Sequence, residues 1–222
     1  RRADGTLPAD PLLVTTIVST PMVKVIAADY HAQVTEVLTG FKYIGDVLNR
    51  LEKQGEENRF VLGFEESCGY LKGTYARDKD GVVAAMLVCT MAARAARQGV
   101  TLWERLQRLY RQYGYFEQRL LSYRFDGADG AARKAQILHA LREHPFTALA
   151  DSRVTEVTDL LQPSDLPKAD VLLYSSGDGS RLVVRPSGTE PLIKCYLMVR
   201  GTPADNARRL DAIGAQLDKA LQ

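Results

Sequence analysis

The chain has 222 residues, enough for one or two domains with substantial cores. Hydrophobic residues make up 45% and charged residues 25%, and 29 Lys+Arg against 27 Asp+Glu leave a net charge of +2, far from the basic excess of a nucleic-acid binder. Three cysteines (Cys68, Cys89, Cys195) without Cys-x-x-Cys spacing indicate neither a disulfide framework nor a zinc site. The polar start and the lack of a membrane-length apolar run make the cytoplasm the expected compartment, with neither nucleic acid nor membrane as partner.

Residues 12–19 are rich in β-branched side chains and read as a buried strand. Ser19 or Thr20 then caps a helix with Pro21 at its first position. A second strand is expected at Gln33–Leu38, followed by Thr39-Gly40 and a helix carrying Ile44, Val47, Leu48 and Leu51 at helical spacing. The third strand is Arg59–Phe64, and a long loop runs from Glu65 to Asp80. Val82–Ala96 is almost wholly apolar and is expected to be a helix buried on most sides. Thr101-Leu-Trp-Glu104 opens another helix with the capping-box pattern. Strands alternating with helices mean βαβ units and a mainly parallel sheet in a three-layer α/β domain. In such a sheet Ser19-Thr20, Thr39-Gly40 and Glu65–Ser67 all follow strand C-terminal ends, the edge where open α/β sheets bind ligands.

Near Tyr113-Gly-Tyr115 the pattern changes. A strand at Arg119–Phe125 precedes a helix, Ala131–His144, with Ile137, Leu138 and Leu141 inward. Strands follow at Val154–Leu160, Val171–Tyr174, Arg181–Val184 and Leu192–Val199, and a last helix carries Leu210, Ile213, Leu217 and Leu221. Hairpin-joined strands with helices set aside indicate an α+β domain with a mainly antiparallel sheet. The expected domains are 1–115 and 116–222.

Three loops carry candidate chemistry. Arg185-Pro-Ser-Gly-Thr-Glu-Pro191 lies between two strands, with a proline near each end. Ser187, Gly188 and Thr189 offer consecutive N–H groups, two hydroxyls and one residue tolerant of φ > 0, and Arg185 adds a planar fork for phosphate or carboxylate oxygens. The same residues also suit a tight connection in a β-meander, with Arg185 salt-bridged at the surface. Gly63-Phe-Glu-Glu-Ser-Cys-Gly-Tyr70 places adjacent carboxylates and a hydroxyl just beyond a strand, fit either for vicinal sugar hydroxyls or for a polar turn. In Ala76-Arg-Asp-Lys-Asp-Gly81, Asp80 is a helix N-cap. Arg77 and Lys79 near that positive helix end suit a bound anion, or a solvated charge run.

These motifs, with Thr39-Gly-Phe-Lys-Tyr-Ile-Gly45, resemble in content and order the loops of the α-D-phosphohexomutases. The resemblance covers the whole chain and corresponds to that family's third and fourth domains, leaning to the phosphoglucomutase/phosphopentomutase branch. It implies that Arg185, Ser187, Gly188 and Thr189 grip the phosphate that is not transferred. Thr39, Gly40, Lys42, Glu65, Ser67 and Arg77 would contact substrate, with Glu65 and Ser67 on ring hydroxyls. Lys79 would stand at the reacting phosphoryl group, neutralising charge or moving a proton. The family moves a phosphoryl group between two hydroxyls of a hexose or pentose phosphate, for example glucose 1-phosphate to glucose 6-phosphate. A phosphoserine, Mg²⁺ and a sugar 1,6-bisphosphate serve that reaction. Neither the serine loop nor the aspartate metal loop is present here, so a C-terminal fragment is expected that is inactive without its N-terminal domains. The halves are expected to meet across a cleft. Specificity for mannose or pentose phosphates, or a non-catalytic sugar-phosphate module, are the alternatives.

Overall fold

The computed structural model describes residues 5–221. The chain divides into two compact units, the first ending at Tyr113 and the second beginning at Gly114.

The first unit runs β1 (Leu12–Thr16), α1 (Met22–Asp29), β2 (Gln33–Val37), α2 (Phe41–Gln54), β3 (Phe60–Glu65), β4 (Gly69–Leu71), α3 (Gly81–Arg97) and α4 (Leu102–Tyr113). Its sheet has the order β2-β1-β3-β4, with β1 parallel to both neighbours and β4 antiparallel to β3. Leu12, Val14 and Phe60 pack with Ile44, Val47, Leu48 and Leu51 of α2 in one core. Each such buried side chain contributes roughly 1.5–3 kcal/mol. That single stripe fixes α2 on the sheet and sets where its first turn meets the strand ends.

Two expectations shift here. α1 starts at Met22, and Pro21, at helical angles, stands in the N-cap place and not at the first helical position. Thr20 Oγ1 accepts from the Met22 N–H at 3.4 Å, while Ser19 turns inward to Thr16 Oγ1, 2.9 Å away. The expected loop after β3 contains β4, whose three residues are too few to show a period in sequence.

The apolar helix departs most. Only Ala95 of α3 is buried, while Val82 is 71% exposed and Met86 64%. Among the described residues α3 packs on β4 and α4, which cover one side of it. An all-round apolar sequence says a helix could be buried; covering it also needs a second surface.

Asp80 caps α3 as expected, its Oδ1 accepting from the N–H groups of Val82 (2.7 Å) and Val83 (3.1 Å). The hydrogen bond from the Tyr75 hydroxyl, then that from Val83, hold the Asp80 carboxyl below its ordinary 3.8. A depressed carboxylate stabilises above its ordinary value and loses that contribution as pH falls through the lower folded one. Asp80→Ala should therefore lower hydrogen-exchange protection at Val82 and Val83 at neutral pH, and the parent should lose the same protection as pH falls below 3.8 and through the lower folded value. Unaltered protection in the variant would refute the cap. In α4 the capping box closes in both directions, Thr101 N–H to Glu104 Oε2 (2.6 Å) and Glu104 N–H to Thr101 Oγ1 (3.1 Å).

The second unit comprises β5 (Tyr115–Arg124), α5 (Gly130–Glu143), β6 (Ala148–Leu149), β7 (Ser152–Asp159), β8 (Leu172–Ser176), β9 (Arg181–Pro186), β10 (Leu192–Gly201) and α6 (Pro203–Leu221). Its sheet is antiparallel throughout, in the order β5-β10-β9-β8-β7-β6. Leu138 and Leu141 of α5, with Leu210, Ile213, Leu217 and Leu221 of α6, pack on Leu172, Leu182, Val184, Ile193 and Leu197. Cys195 lies in this core, where burial pushes its thiol up to about 12, so it acts as a small apolar side chain. The hairpin between β9 and β10 holds residues 187–191, which places the Arg185 loop at a sheet end, between two core strands.

Candidate functional site

In the first unit the site grows from the end of β3. Glu65 pairs with Gly69 across the β3–β4 hairpin, and Cys68 turns the chain with φ 61°, a left-handed conformation rare for a residue with a side chain. The hairpin is tight because Gly69 has no Cβ: one built there would lie 2.7 Å from Glu65 Cγ and Oε1. Folded over Gly69, Glu65 is buried, and its Oε1 accepts from Lys79 Nζ at 3.3 Å. Lys79 stays about half exposed. Glu66 turns the other way and accepts from Thr16 Oγ1 at 3.1 Å, tying the ends of β1 and β3 together. Ser67 is exposed at the turn. The structure thus brings Glu65 and Lys79 together from loops fourteen residues apart.

Arg77, expected at the substrate, makes several contacts within the protein. Its guanidinium donates to Asn49 Oδ1 (2.5 Å), to the carbonyls of Thr74 (2.7 Å) and Ala76 (3.1 Å), and to Glu52. It is a clamp that fastens the loop before α3 to α2, with four of its five N–H donors engaged. Gly45 makes the approach possible, since a Cβ there would stand 2.5 Å from the Arg77 carbonyl oxygen. Arg77 thus fixes the loop that carries Lys79.

Thr39 and Gly40 sit between β2 and α2, with Gly40 at φ 118°, where glycine alone is comfortable. Lys42 is exposed and stacks its ammonium over the Tyr43 ring, 4.9 Å from the centroid. Among the described residues, Thr39 and Lys42 make no hydrogen bond or ion pair with Glu65, Ser67 or Lys79.

In the second unit, the 185–191 loop uses part of the expected anion cradle for its own closure. The Ser187 N–H donates to Leu192 O (2.8 Å), and Ser187 Oγ accepts from the Glu190 N–H (3.2 Å). Gly188 does not adopt a positive φ. What remains open is the pair of N–H groups at Gly188 and Thr189, which have no partner among the described residues, and the two hydroxyl protons. A Cβ on Gly188 would meet nothing within 4 Å.

Arg185 stands beside them, half-buried, with no hydrogen bond or ion pair to any described residue. It is paired directly across β9–β10 with Lys194. Two cations opposed on one face of a sheet are destabilising unless an anion joins them. Lys194 is ion-paired at long range with Glu190, its Nζ 3.8 Å from Oε2, whereas Arg185 has no such partner among the described residues. Lys134 of α5 adds a third cation, its Nζ donating to Ser187 O at 3.2 Å. Sequence reasoning passed over Lys134, and took Lys194 only as the lysine of the strand that follows the loop, without a role at the site. The alternation of β10 put Lys194 on the face of Arg185 and could have found it.

The model of the phosphoglucomutase/phosphomannomutase alpha/beta/alpha domain III matches residues 1–113, and that of the C-terminal domain matches residues 127–216. The chain belongs to the phosphoglucomutase/phosphomannomutase family. A Haemophilus influenzae protein described as "Probable phosphomannomutase" is 33% identical over 211 residues, covering 95% of this chain and 40% of the relative. A Staphylococcus epidermidis phosphoglucomutase is 33% identical over 217 residues, covering 92% of this chain and 38% of its own length. The chain thus spans about 40% of the length of these phosphoglucomutase/phosphomannomutase relatives. The fold is also that of a solved Paramecium protein, pp63/parafusin (phosphoglucomutase) in its open form. Its TM-score is 0.68 at 21% identity, over 95% of this chain and 37% of that one. Among the described residues no three His, Cys, Asp or Glu side chains come together as metal ligands, and no helix is long and apolar enough to cross a membrane.

Proposed function

We propose that this chain is the substrate-recognition part of a phosphoglucomutase-like phosphohexomutase and acts within a longer enzyme that shifts a phosphoryl group between two hydroxyls of a sugar phosphate. Arg185, Ser187, Gly188 and Thr189 take the phosphate that stays in place. Glu65 and Ser67 read sugar hydroxyls, with Thr39, Gly40 and Lys42 at the same sheet edge. Lys79, held against Glu65, provides a positive charge or a proton for the transfer. Mg²⁺ and a sugar bisphosphate belong to the whole enzyme through residues outside this chain, and the cytoplasm is its compartment.

One observation carries this reading: among the described residues the half-buried Arg185 has no hydrogen-bond or ion-pair partner, and the Gly188 and Thr189 N–H groups of its loop have none either. A buried or half-buried charge ordinarily finds its counter-charge within the protein. Here the counter-charge is supplied by the ligand.

The test is titration of the protein with inorganic phosphate and with glucose 1-phosphate, followed by amide NMR. Both should move the Gly188 and Thr189 signals, and the sugar ester should also move those of Glu65–Ser67. Gly188→Ala sharpens it. With φ unexceptional and open space around it, the alanine should leave stability unaltered. Its methyl would intrude where the anion approaches the N–H, weakening phosphate binding about tenfold or more. Undiminished binding by the alanine variant would remove the 188–189 amides from the site.

A further inference from the structure

Lys134 occupies a place on α5 that periodicity reserves for an apolar side chain. With Ile137, Leu138 and Leu141 it completes the i, i+3, i+4, i+7 spacing of the inward face. Its side chain is half-buried, and no carboxylate among the described residues pairs with it. Its hydrogen-bond partner is a neutral backbone oxygen, Ser187 O, at 3.2 Å.

The reach from helix to loop is fixed at both ends. A Cβ at Gly130 would lie 2.0 Å from Phe125 O, so glycine lets the first turn of α5 press onto the end of β5. Phe125 N–H in turn donates to Pro191 O at 2.8 Å, holding the end of β5 against the end of the loop. Lys134 follows directly on that anchored turn.

A peptide unit is planar and trans, so its C=O and N–H point in opposite directions. Drawing Ser187 O towards Lys134 necessarily turns the Gly188 N–H, in the same peptide, away from α5 and into the open space around Gly188. The opposite orientation would offer an incoming anion a carbonyl oxygen.

We propose that Lys134 is a positioning residue for the phosphate clamp: its ammonium locks the Ser187–Gly188 peptide in the orientation that presents the Gly188 N–H to the anion. This rests on the reading of the 185–191 loop as a phosphate site. Sequence periodicity carries the signal, because a lysine at a core position of an amphipathic helix violates the local pattern, and such violations concentrate where function is built.

The experiment uses the 222-residue protein, inorganic phosphate as probe and three variants. Lys134→Met keeps an apolar stem on the inward face and removes the donor. It should bind phosphate about tenfold more weakly, with the Gly188 amide signal no longer responding, while thermal unfolding stays close to that of the parent. Lys134→Gln restores a neutral donor to Ser187 O and should recover most of the affinity. If Gln behaves as Met does, the side chain acts through charge and the positioning role is wrong. Arg185→Ala separates the two levels of inference. Loss of binding there with Lys134→Met unaffected sinks the role of Lys134 alone. Intact binding in Arg185→Ala sinks the phosphate clamp and this inference with it.

Discussion

Arg185→Ala should weaken binding of phosphate and of glucose 1-phosphate on the order of 100-fold, while leaving the protein as stable as before or slightly more so. The loss follows from removing a charge-assisted, two-pronged donor from a site that has few other groups to offer. The stability expectation follows from what Arg185 lacks. It has no hydrogen bond or ion pair to lose among the described residues, and it faces Lys194 directly across the strand pair. Deleting one of two opposed cations relieves repulsion in the unliganded protein. Arg185→Lys keeps the charge without the fork and should recover only part of the affinity. Calorimetric titration together with a thermal melt reads both effects. A variant that melts well below the parent would show Arg185 to be structural, the ordinary surface-turn reading of this loop. In the longer enzyme proposed above, the same substitution should raise KM strongly.

Gly45→Ala should destabilise the first unit by about 1–3 kcal/mol, the usual range for forcing an extra methyl into filled space. The new Cβ would stand 2.5 Å from a backbone oxygen, that of Arg77, which cannot swing aside as a side chain could. Either α2 or the 74–80 loop must move. Movement of the loop would break the bonds from Arg77 to Asn49 and Glu52 of α2, and would carry Lys79 away from Glu65. Denaturant unfolding should report the lost stability, and hydrogen exchange should rise across residues 74–80. Arg77→Ala should loosen the same segment without the clash. Phosphate binding at the 185–191 loop should survive both substitutions, because the bonds described for that loop, to Leu192, Phe125 and Lys134, are made within the second unit. A fully stable Gly45→Ala protein would mean the loop has room to spare and that Arg77 is no clamp.

The alternation of strands and helices was legible because each element carries its own burial code. Leu12 and Val14 face one core, and Ile44, Val47, Leu48 and Leu51 repeat at helical spacing. The Thr101–Glu104 capping box was readable for a related reason: its partners are three residues apart. Legibility failed where the decisive contact was remote. Arg77 looked available for a ligand because nothing in Ala76–Gly81 shows that Asn49, twenty-eight residues earlier, will accept from it. Val82–Ala96 looked buried because composition reports what a helix would bury, and the covering surface is a separate fact. At the 185–191 loop the residue types were right, yet the Ser187 N–H is spent on Leu192 O, a detail of hairpin closure that the sequence does not express.

The strand order of the second unit has a consequence for how the chain is made. β5 has one neighbour in its sheet, β10, with Tyr115 opposite Gly201 and Arg124 opposite Leu192. During translation Tyr115–Arg124 therefore leaves the ribosome as an orphan strand and stays one until nearly the whole unit has followed it. Such an interval invites pairing with a stranger. Glu117, Arg119 and Arg124, spaced along that strand, place charges where a mismatched neighbour would have to bury them.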